Sequence, residues 1–368
     1  MGAKNGRSIK DKRRKNRRGW GRKLKRKTFK KAQKETKFSI FGSNSNGIKG
    51  KLDSLNNNIQ YFKPSCIHLQ ETKLRFPGTV KLAGYEVFEN IREGLGGGLL
   101  TAVDINTNPV LISAGNEYFE AIIIELTLGQ KKIRVFNFYG PQEPGQSQCS
   151  MNEQKIKVNM FWLELEKEVI DAVDAGCLIL IEMDANAKVG QNIIKNDPNE
   201  TSANGLLLLD LIRRQGLKIL NSFSKCEGVI TRQRVTVDRT EQSVIDYVVA
   251  CEEMSSFLQN MVIDEQRKHV LTKFTMHKGT RHTVESDHNS IYASFNLSYS
   301  MKKPEIRKEI FNFKDKDSQK MFYNITSYSN KFGACFNPYN SNEQKTDKYF
   351  KTLDNILHQC FRKVRIKM

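Results

Sequence analysis

A chain of 368 residues, 38% hydrophobic and 27% charged, has room for one large domain or two ordinary ones with a real core, which excludes a miniprotein or a fibre. Residues 1 to 37 hold 18 basic and 2 acidic side chains, so they carry +16 of the net +20 and leave a near-balanced 42 basic and 38 acidic residues elsewhere. No apolar run approaches the roughly 18 to 20 residues of a spanning helix, no apolar stretch follows the N-terminal charges, and Gly2 lacks a Ser or Thr at position 6, so neither membrane association nor secretion is expected.

In chain order, the basic segment comes first, with Arg13-Arg14-Lys15, Arg17-Arg18 and Lys23 to Lys27. It has too few apolar residues to offset the entropy of ordering, so residues 1 to 37 are expected to be a disordered tail whose natural partner is an acidic polymer. Phe38 to Phe41 opens a strand, and Leu52, Leu55, Ile59 and Phe62 recur at helical spacing before Pro64. Strands are predicted over Ser65 to Leu69, Tyr85 to Phe88, Leu99 to Val103, Phe119 to Leu128 and Ile133 to Tyr139. Ile156, Met160, Leu163 and Ile170 mark a long amphipathic helix ending near Gly176, and Cys177 to Ile181 reads as a strand covered on both faces. A second helix runs from Asn204 as N-cap to Gly216 as C-cap. Leu217 to Leu220, Ser243 to Val249, Phe257 to Ile263 and Ile291 to Leu297 are again strand-like.

About a dozen strands with two or three helices imply an α/β sandwich, two packed sheets with helices outside. The expected body spans residues 38 to 297. Residues 298 to 368 are charged, with Phe311, Phe322, Leu353 and Ile356 in helix-compatible sequence, and are expected to form a helical extension. Seven cysteines without a Cys-x-x-Cys pair point to reduced thiols rather than disulfides or a zinc finger.

Polar residues at strand ends carry the chemistry, because a sheet edge holds side chains in a fixed cluster. They are Asn44 and Asn46, Gln70-Glu71-Thr72, Tyr139, Asp184-Ala185-Asn186, Asp246, and Ser286-Asp287-His288-Asn289. Singly each has an ordinary explanation: a solvated loop charge at Glu71, a turn cap at Asp184, an edge aromatic at Tyr139. Together they supply what phosphate-ester hydrolysis requires. Glu71 and Asp287 with Asn44 offer oxygen ligands for a hard divalent cation, Asp184 and Asn186 hold a water, His288 and Tyr139 face a phosphate, and Asp246 orients the imidazole. Gly94-x-Gly96-Gly97-Gly98 lacks the following Lys and helix start of a phosphate loop and reads as a turn or a close backbone approach.

The ordered series Asn44-x-Asn46-Gly47, Gln70-Glu71-Thr72, Tyr139-Gly140, Asp184-x-Asn186-Ala187, Ile245-Asp246-Tyr247 and Ser286-Asp287-His288 resembles the endonuclease/exonuclease/phosphatase family over residues 38 to 297. Within it, the likeness is nearest to the apurinic-type endonuclease of non-LTR retrotransposon polyproteins and their craniofacial development protein-like relatives. Leucine-rich Gly205 to Leu220 before Asn221-Ser222, and Thr231 ahead of the Asp246 strand, also resemble that branch. Met183 before Asp184, Ser43 before Asn44 and Arg232 after Thr231 depart from the family's usual residues.

The resemblance implies a four-layered α/β sandwich and a magnesium-dependent phosphodiesterase, with manganese as the alternative ion. In the retrotransposon branch it implies a nick in one DNA strand that leaves a 3′-hydroxyl; the basic clusters of the tail also fit a nuclear address, so a nuclear location is expected. Duplex DNA is the expected partner, with RNA as a second, contacted by Thr231, Arg232 and Arg234 beside the site and by Arg13, Arg14, Arg17 and Arg18 in the tail. With neither an Asp-Asp pair nor a Cys/His knuckle, the chain reads as a nuclease module with a connector. Two other functions fit the same pattern. A phosphoesterase acting on a lipid or inositol phosphate would use the tail as a membrane-surface anchor, although the tail lacks bulky apolar residues. A catalytically inactive nucleic-acid-binding module would not need the full set of catalytic-type residues.

Overall fold

The computed structural model describes residues 35–92, 96–142, 148–236, 238–277, 280–300, 307–311 and 363–367. The expected disordered tail, with Arg13, Arg14, Arg17 and Arg18, therefore lies outside the described residues except for its last three positions, which are strand.

Along the chain come β1 (Glu35–Asn44), α1 (Leu52–Phe62), β2 (Cys66–Gln70), β3 (Tyr85–Asn90), β4 (Leu99–Asp104), β5 (Val110–Ser113), β6 (Ala121–Leu128) and β7 (Lys131–Tyr139). Next are α2 (Gln148–Asp174), β8 (Leu178–Asp184), α3 (Ala203–Arg214), β9 (Leu217–Ile219), β10 (Cys226–Glu227), β11 (Arg232–Val235), β12 (Thr240–Ser243), β13 (Asp246–Cys251) and α4 (Glu252–Ser256). The body closes with β14 (Leu258–Ile263), β15 (Thr272–His277), β16 (Thr280–Glu285) and β17 (Ile291–Ser300). Beyond it, β18 (Arg307–Phe311) and β19 (Lys363–Lys367) form a ladder of their own.

A seven-stranded sheet has the order β10-β14-β17-β1-β2-β4-β3, and a six-stranded sheet the order β5-β6-β7-β8-β13-β9. Both are mixed: β1 runs parallel to β2 and antiparallel to β17, while β7 runs parallel to β8 and β13 antiparallel to it. Period-two alternation sorts the side chains into layers. On β6, Ala121 and Ile123 pack with Phe161, Trp162 and Leu165 of α2, whereas Ile122, Ile124 and Leu126 turn inward to meet Phe38, Ile40 and Phe295 of the other sheet. On the far side of the first sheet, Phe41, Ile67 and Leu69 pack against α1 through Leu55. The result is the expected four-layered sandwich: helix, sheet, sheet, helices.

The inter-sheet layer changes character along the strands. On β8, Leu178 and Leu180 belong to its apolar part, yet the next inward positions are Glu182 and Asp184, both buried. The facing positions follow suit, with Asn137 on β7 and His68 and Gln70 on β2 fully buried. Gln70 Nε2 donates to Asn137 Oδ1 and Glu182 Oε2, both at 2.8 Å, and Asn137 Nδ2 reaches Leu100 O at 3.0 Å and Thr101 Oγ1 at 3.1 Å. His68 Nδ1 lies 3.4 Å from Glu182 Oε2, and its Nε2 is 3.0 Å from Cys66 Sγ. Burial alone would strip the imidazole of its proton, but Cys66 and Glu182 hold it on and raise it to about 10. This polar layer bolts the two sheets together, and Gly42 makes room for it: a Cβ there would sit 2.1 Å from Glu182 Oε1.

Several expectations are corrected. The long helix is α2, but its buried face is Val158, Phe161, Trp162, Leu165, Val169 and Ala172, while Ile156, Leu163 and Ile170 are exposed. Both sets recur at helical spacing, and the one carrying the large aromatics offers more area to bury. The N-cap of α3 is Ser202, whose Oγ accepts from Gly205 N at 3.2 Å; Asn204 is buried inside the helix and donates to Pro141 O at 2.7 Å. The hairpins β11–β12 and β15–β16 went unpredicted because neither has a buried face to impose alternation on its sequence. Of the expected helical extension, residues 298–300, 307–311 and 363–367 are described, and they are strand.

Candidate active site

Parallel pairing brings the carboxyl ends of β1, β2, β7 and β8 to one edge of the sandwich, where antiparallel β13 and β17 begin. Asn44, Tyr139 and Asp184 are the last residues of their strands, Glu71 directly follows β2, Asp246 opens β13 opposite Asp184, and His288 precedes β17. One edge therefore gathers every catalytic and metal residue expected from the sequence.

The contacts form a chain. Asn44 Nδ2 donates to Asp184 Oδ2 at 2.7 Å and to Glu71 Oε1 at 3.3 Å, and Tyr139 OH donates to the same Glu71 oxygen at 2.9 Å. His288 Nδ1 lies 3.0 Å from both oxygens of Asp246, and its Nε2 is 3.8 Å from Asp184 Oδ2. Asn186 N–H donates to Asp184 Oδ1 at 3.1 Å, and its amide holds Gly140 O at 2.9 Å. Asp287 Oδ2 accepts from Arg232 Nε at 2.9 Å. Glu71, Tyr139, Asp184, Asn186, Asp287 and His288 line one open cleft of about 440 Å³, with Arg232 and Arg234 on its wall.

Backbone geometry fixes these positions. Asn46, Glu71 and Asn186 have φ of 42°, 48° and 46°, left-handed values that turn the chain sharply as each strand ends. The turn after Glu71 is held by the glycine run: Thr72 N donates to Gly98 O at 2.9 Å and Lys73 N to Gly97 O at 3.0 Å. Gly97 and Gly98 have φ of 64° and 84°, conformations that glycine adopts at no steric cost. The run is thus a close backbone approach, as its sequence suggested.

Comparison with known proteins bears on the fold. No family's sequence pattern and no curated protein matches the chain. Among solved structures, an AP endonuclease from Archaeoglobus fulgidus superposes with a TM-score of 0.53 at 19% identity, over 71% of this chain and 100% of that one. The 3′ phosphatase NExo from Neisseria, bound to a product DNA hairpin, gives 0.53 at 17% identity, over 70% and 99%. The chain has the endonuclease/exonuclease/phosphatase fold. The endonuclease domain of TRAS1, a telomere-specific non-LTR retrotransposon, gives 0.45 at 20% identity, over 71% and 99%.

On this fold, electrostatics divide the site in two. In the first half, burial and then Asp246 push the Asp184 carboxyl up to about 7, against the pull of His288 and Asn44. Burial opposes a charge on His288 as well, but Asp246 and Asp184 outweigh it and hold the imidazole up at about 9. In the second half, burial is overcome in the other direction. Tyr139 and Lys73, whose Nζ lies 3.1 Å from Glu71 Oε2, keep Glu71 below the usual carboxylate range; His288 and Arg232 do the same for Asp287.

Asp184, Asp246 and His288 have donor atoms within 4.8 Å of one another, a cluster compact enough to hold a metal, although Asp246 already engages the imidazole Nδ1. Glu71, Asp287 and Asn44 carry the oxygen-ligand types that suit a hard divalent cation, with Asn44 turning its Nδ2 toward Glu71 while its Oδ1 accepts from Asn46 N at 3.0 Å. Among the described residues no cysteine lines this cleft, and Lys73 and Arg232 pair with Glu71 and Asp287.

One expected contact is misplaced. Thr231 is fully buried, and its Oγ1 accepts the N–H groups of Ile245 at 3.0 Å and Asp246 at 3.1 Å. It sets Asp246 at the start of β13 and is out of reach of a ligand. Arg232 and Arg234 do line the cleft. Sequence reasoning gave no role to Lys73, to Asn221, whose Nδ2 holds Asp246 O at 3.1 Å, or to Ser286, the donor to Asn44 O at 2.6 Å. Their positions flanking the motifs were the available signal.

Proposed function

We propose that this chain is a divalent-metal-dependent phosphodiesterase that cuts one strand of duplex DNA and leaves a 3′-hydroxyl, as in retrotransposon target-site nicking. The observation that carries this reading is the buried imidazole held between Asp246 and Asp184, with Asn44 joining Asp184 to Glu71. A carboxyl poised near neutrality is suited to take a proton from water, so Asp184 acts as the general base, with Asn186 beside it. His288 stays protonated at neutral pH and donates to the charge that develops on the phosphoryl oxygens; Asp246 and Thr231 fix its orientation. Water adds to phosphorus as its proton passes to Asp184, the bond to O3′ breaks, and O3′ takes a proton from solvent to become the 3′-hydroxyl. Magnesium, or manganese, held by Glu71, Asn44 and Asp287 would supply Lewis-acid stabilisation of the same oxygens.

Arg232 and Arg234 contact the duplex at the cleft, and the tail, with Arg13, Arg14, Arg17 and Arg18, adds non-specific affinity by counterion release and serves as a nuclear address. The test is supercoiled plasmid with magnesium, with and without chelator: open circles only in the metal reaction support the reading, and intact plasmid in both overturns it.

A further inference from the structure

The hairpin β15–β16 has no place in the site just described. It pairs with no other described strand, and every residue of β16 is exposed. A lone two-stranded ribbon in water is marginal, yet this one displays Phe274 at 59% and Met276 at 69% exposure. Its register sets Phe274 opposite Thr283 and Met276 opposite Arg281, so Phe274, Met276 and Arg281 share one face. There the Arg281 guanidinium lies 3.6 Å from the centre of the Phe274 ring.

The base of the ribbon is firmly set. Ser286 N donates to Leu271 O at 3.0 Å, Leu271 is fully buried, and Thr272 N reaches Ser54 Oγ at 3.3 Å. Glu285, the last residue of β16, lines the same cleft as Glu71 and Asp287, and Lys273 packs against Gly50 beside the loop that follows Asn44. The ribbon therefore rises directly from the rim of the cleft and carries cations, Lys273 and Arg281, along its length.

We propose that β15–β16 is a DNA arm that inserts Phe274 and Met276 into the minor groove of the duplex flanking the cut, with Arg281 against the adjacent phosphates. The proposal rests on the DNA-cutting reading for its substrate. Three features carry it: an exposed apolar pair side by side on one face of the ribbon, an arginine already stacked on the aromatic, and continuity with the cleft. Bulky apolar side chains on a positively charged support match the wedges by which minor-groove proteins unstack a base step, and the backbone of DNA complements Lys273 and Arg281.

The experiment compares wild type with Phe274→Ala and with Phe274→Ala/Met276→Ala, after circular dichroism confirms that each is folded. Two substrates are used, a duplex and bis(p-nitrophenyl) phosphate, which is too small to reach the arm. The ratio of duplex to small-diester kcat/KM is expected to fall about 5- to 140-fold, the range set by removing one stacking interaction. Equal losses on both substrates, or no loss on either, overturn the proposal. A duplex carrying 2-aminopurine beside the cut, bound in chelator, gives a second reading: wild type is expected to raise its fluorescence and the variants to leave it quenched. Identical signals refute the arm. If wild type cuts neither substrate, the catalytic reading fails, and the fluorescence still decides whether the arm enters DNA.

Discussion

Gly42→Ala isolates the polar layer beneath the site. Gly42 lies in β1 at an ordinary negative φ, so alanine meets no conformational objection and the effect is steric alone. The new methyl would sit 2.1 Å from Oε1, 2.3 Å from Cδ and 2.9 Å from Cγ of Glu182. Neither backbone can retreat, because β1 lies between β17 and β2 in one sheet and β8 between β7 and β13 in the other. Glu182 must swing away from His68 and Gln70, which leaves a buried, protonated imidazole without its carboxylate. Breaking a buried ion pair costs about 3–5 kcal/mol, and a lowering of the melting temperature by about 6–20 °C follows for a domain of this size. Glu182→Ala breaks the same pair and is expected to cost about as much. It also removes the atoms that the methyl strikes, so the double variant is expected to cost little more than Glu182→Ala alone. The assay is a double-mutant cycle by urea denaturation, read by circular dichroism. Additive costs would show that Gly42 and Glu182 do not meet and would refute the packing argument.

At the site, Glu71→Gln is expected to abolish plasmid nicking with an unchanged far-ultraviolet spectrum; full nicking would remove Glu71 from the metal set. Asp184→Ala and His288→Ala are each expected to lower the cutting rate about 10²- to 10⁴-fold with DNA affinity kept, as gel shifts in chelator would show; an equal fall in affinity would make them binding residues. Because the fold raises His288 from its usual value to about 9, its stabilising charge is fully present below about pH 6.5 and is lost as pH climbs through 9. Unfolding free energy in chelator is therefore expected to decline over that window, and to decline less in His288→Gln; identical slopes would refute the linkage. Deleting residues 1–34 is expected to flatten the slope of log affinity against log salt on one duplex, by about 0.9 for each phosphate that the tail no longer neutralises. An unchanged slope would mean that the tail does not touch DNA.

The central strands were legible because burial imposes a pattern on them. Cys177 to Ile181 and Ile133 to Tyr139 are apolar enough to read directly, and the polar residues that interrupt them at Asp184 and Tyr139 announced the site. The six separated motifs were legible because each sets polar residues at a strand end, and the structure brings those ends to one edge. What stayed hidden depends on long-range geometry. Nothing local distinguishes the Phe161 face of α2 from the Ile156 face, and nothing in Cys66-Ile67-His68 says that the imidazole meets Glu182 across two sheets. Thr231 looked like a ligand contact because its burial is created by β13, which lies beyond its own hairpin.

The pairing of β1 with β17 has a consequence for how the protein comes into being. Glu35 stands opposite Ser300 and Gly42 opposite Ile291, so the strand that starts the body is flanked by the strand that ends it. Asn44 and Ser286, joined by a hydrogen bond, are 242 positions apart in sequence. At roughly 5–20 residues per second, a ribosome takes about 12 to 48 seconds to deliver the second partner after the first. Throughout that interval the nascent chain carries Asn44 but neither Asp287 nor His288, and its first sheet lacks β17 between β14 and β1. Only a chain made through to residue 300 can therefore close its first sheet and complete the edge that gathers these residues.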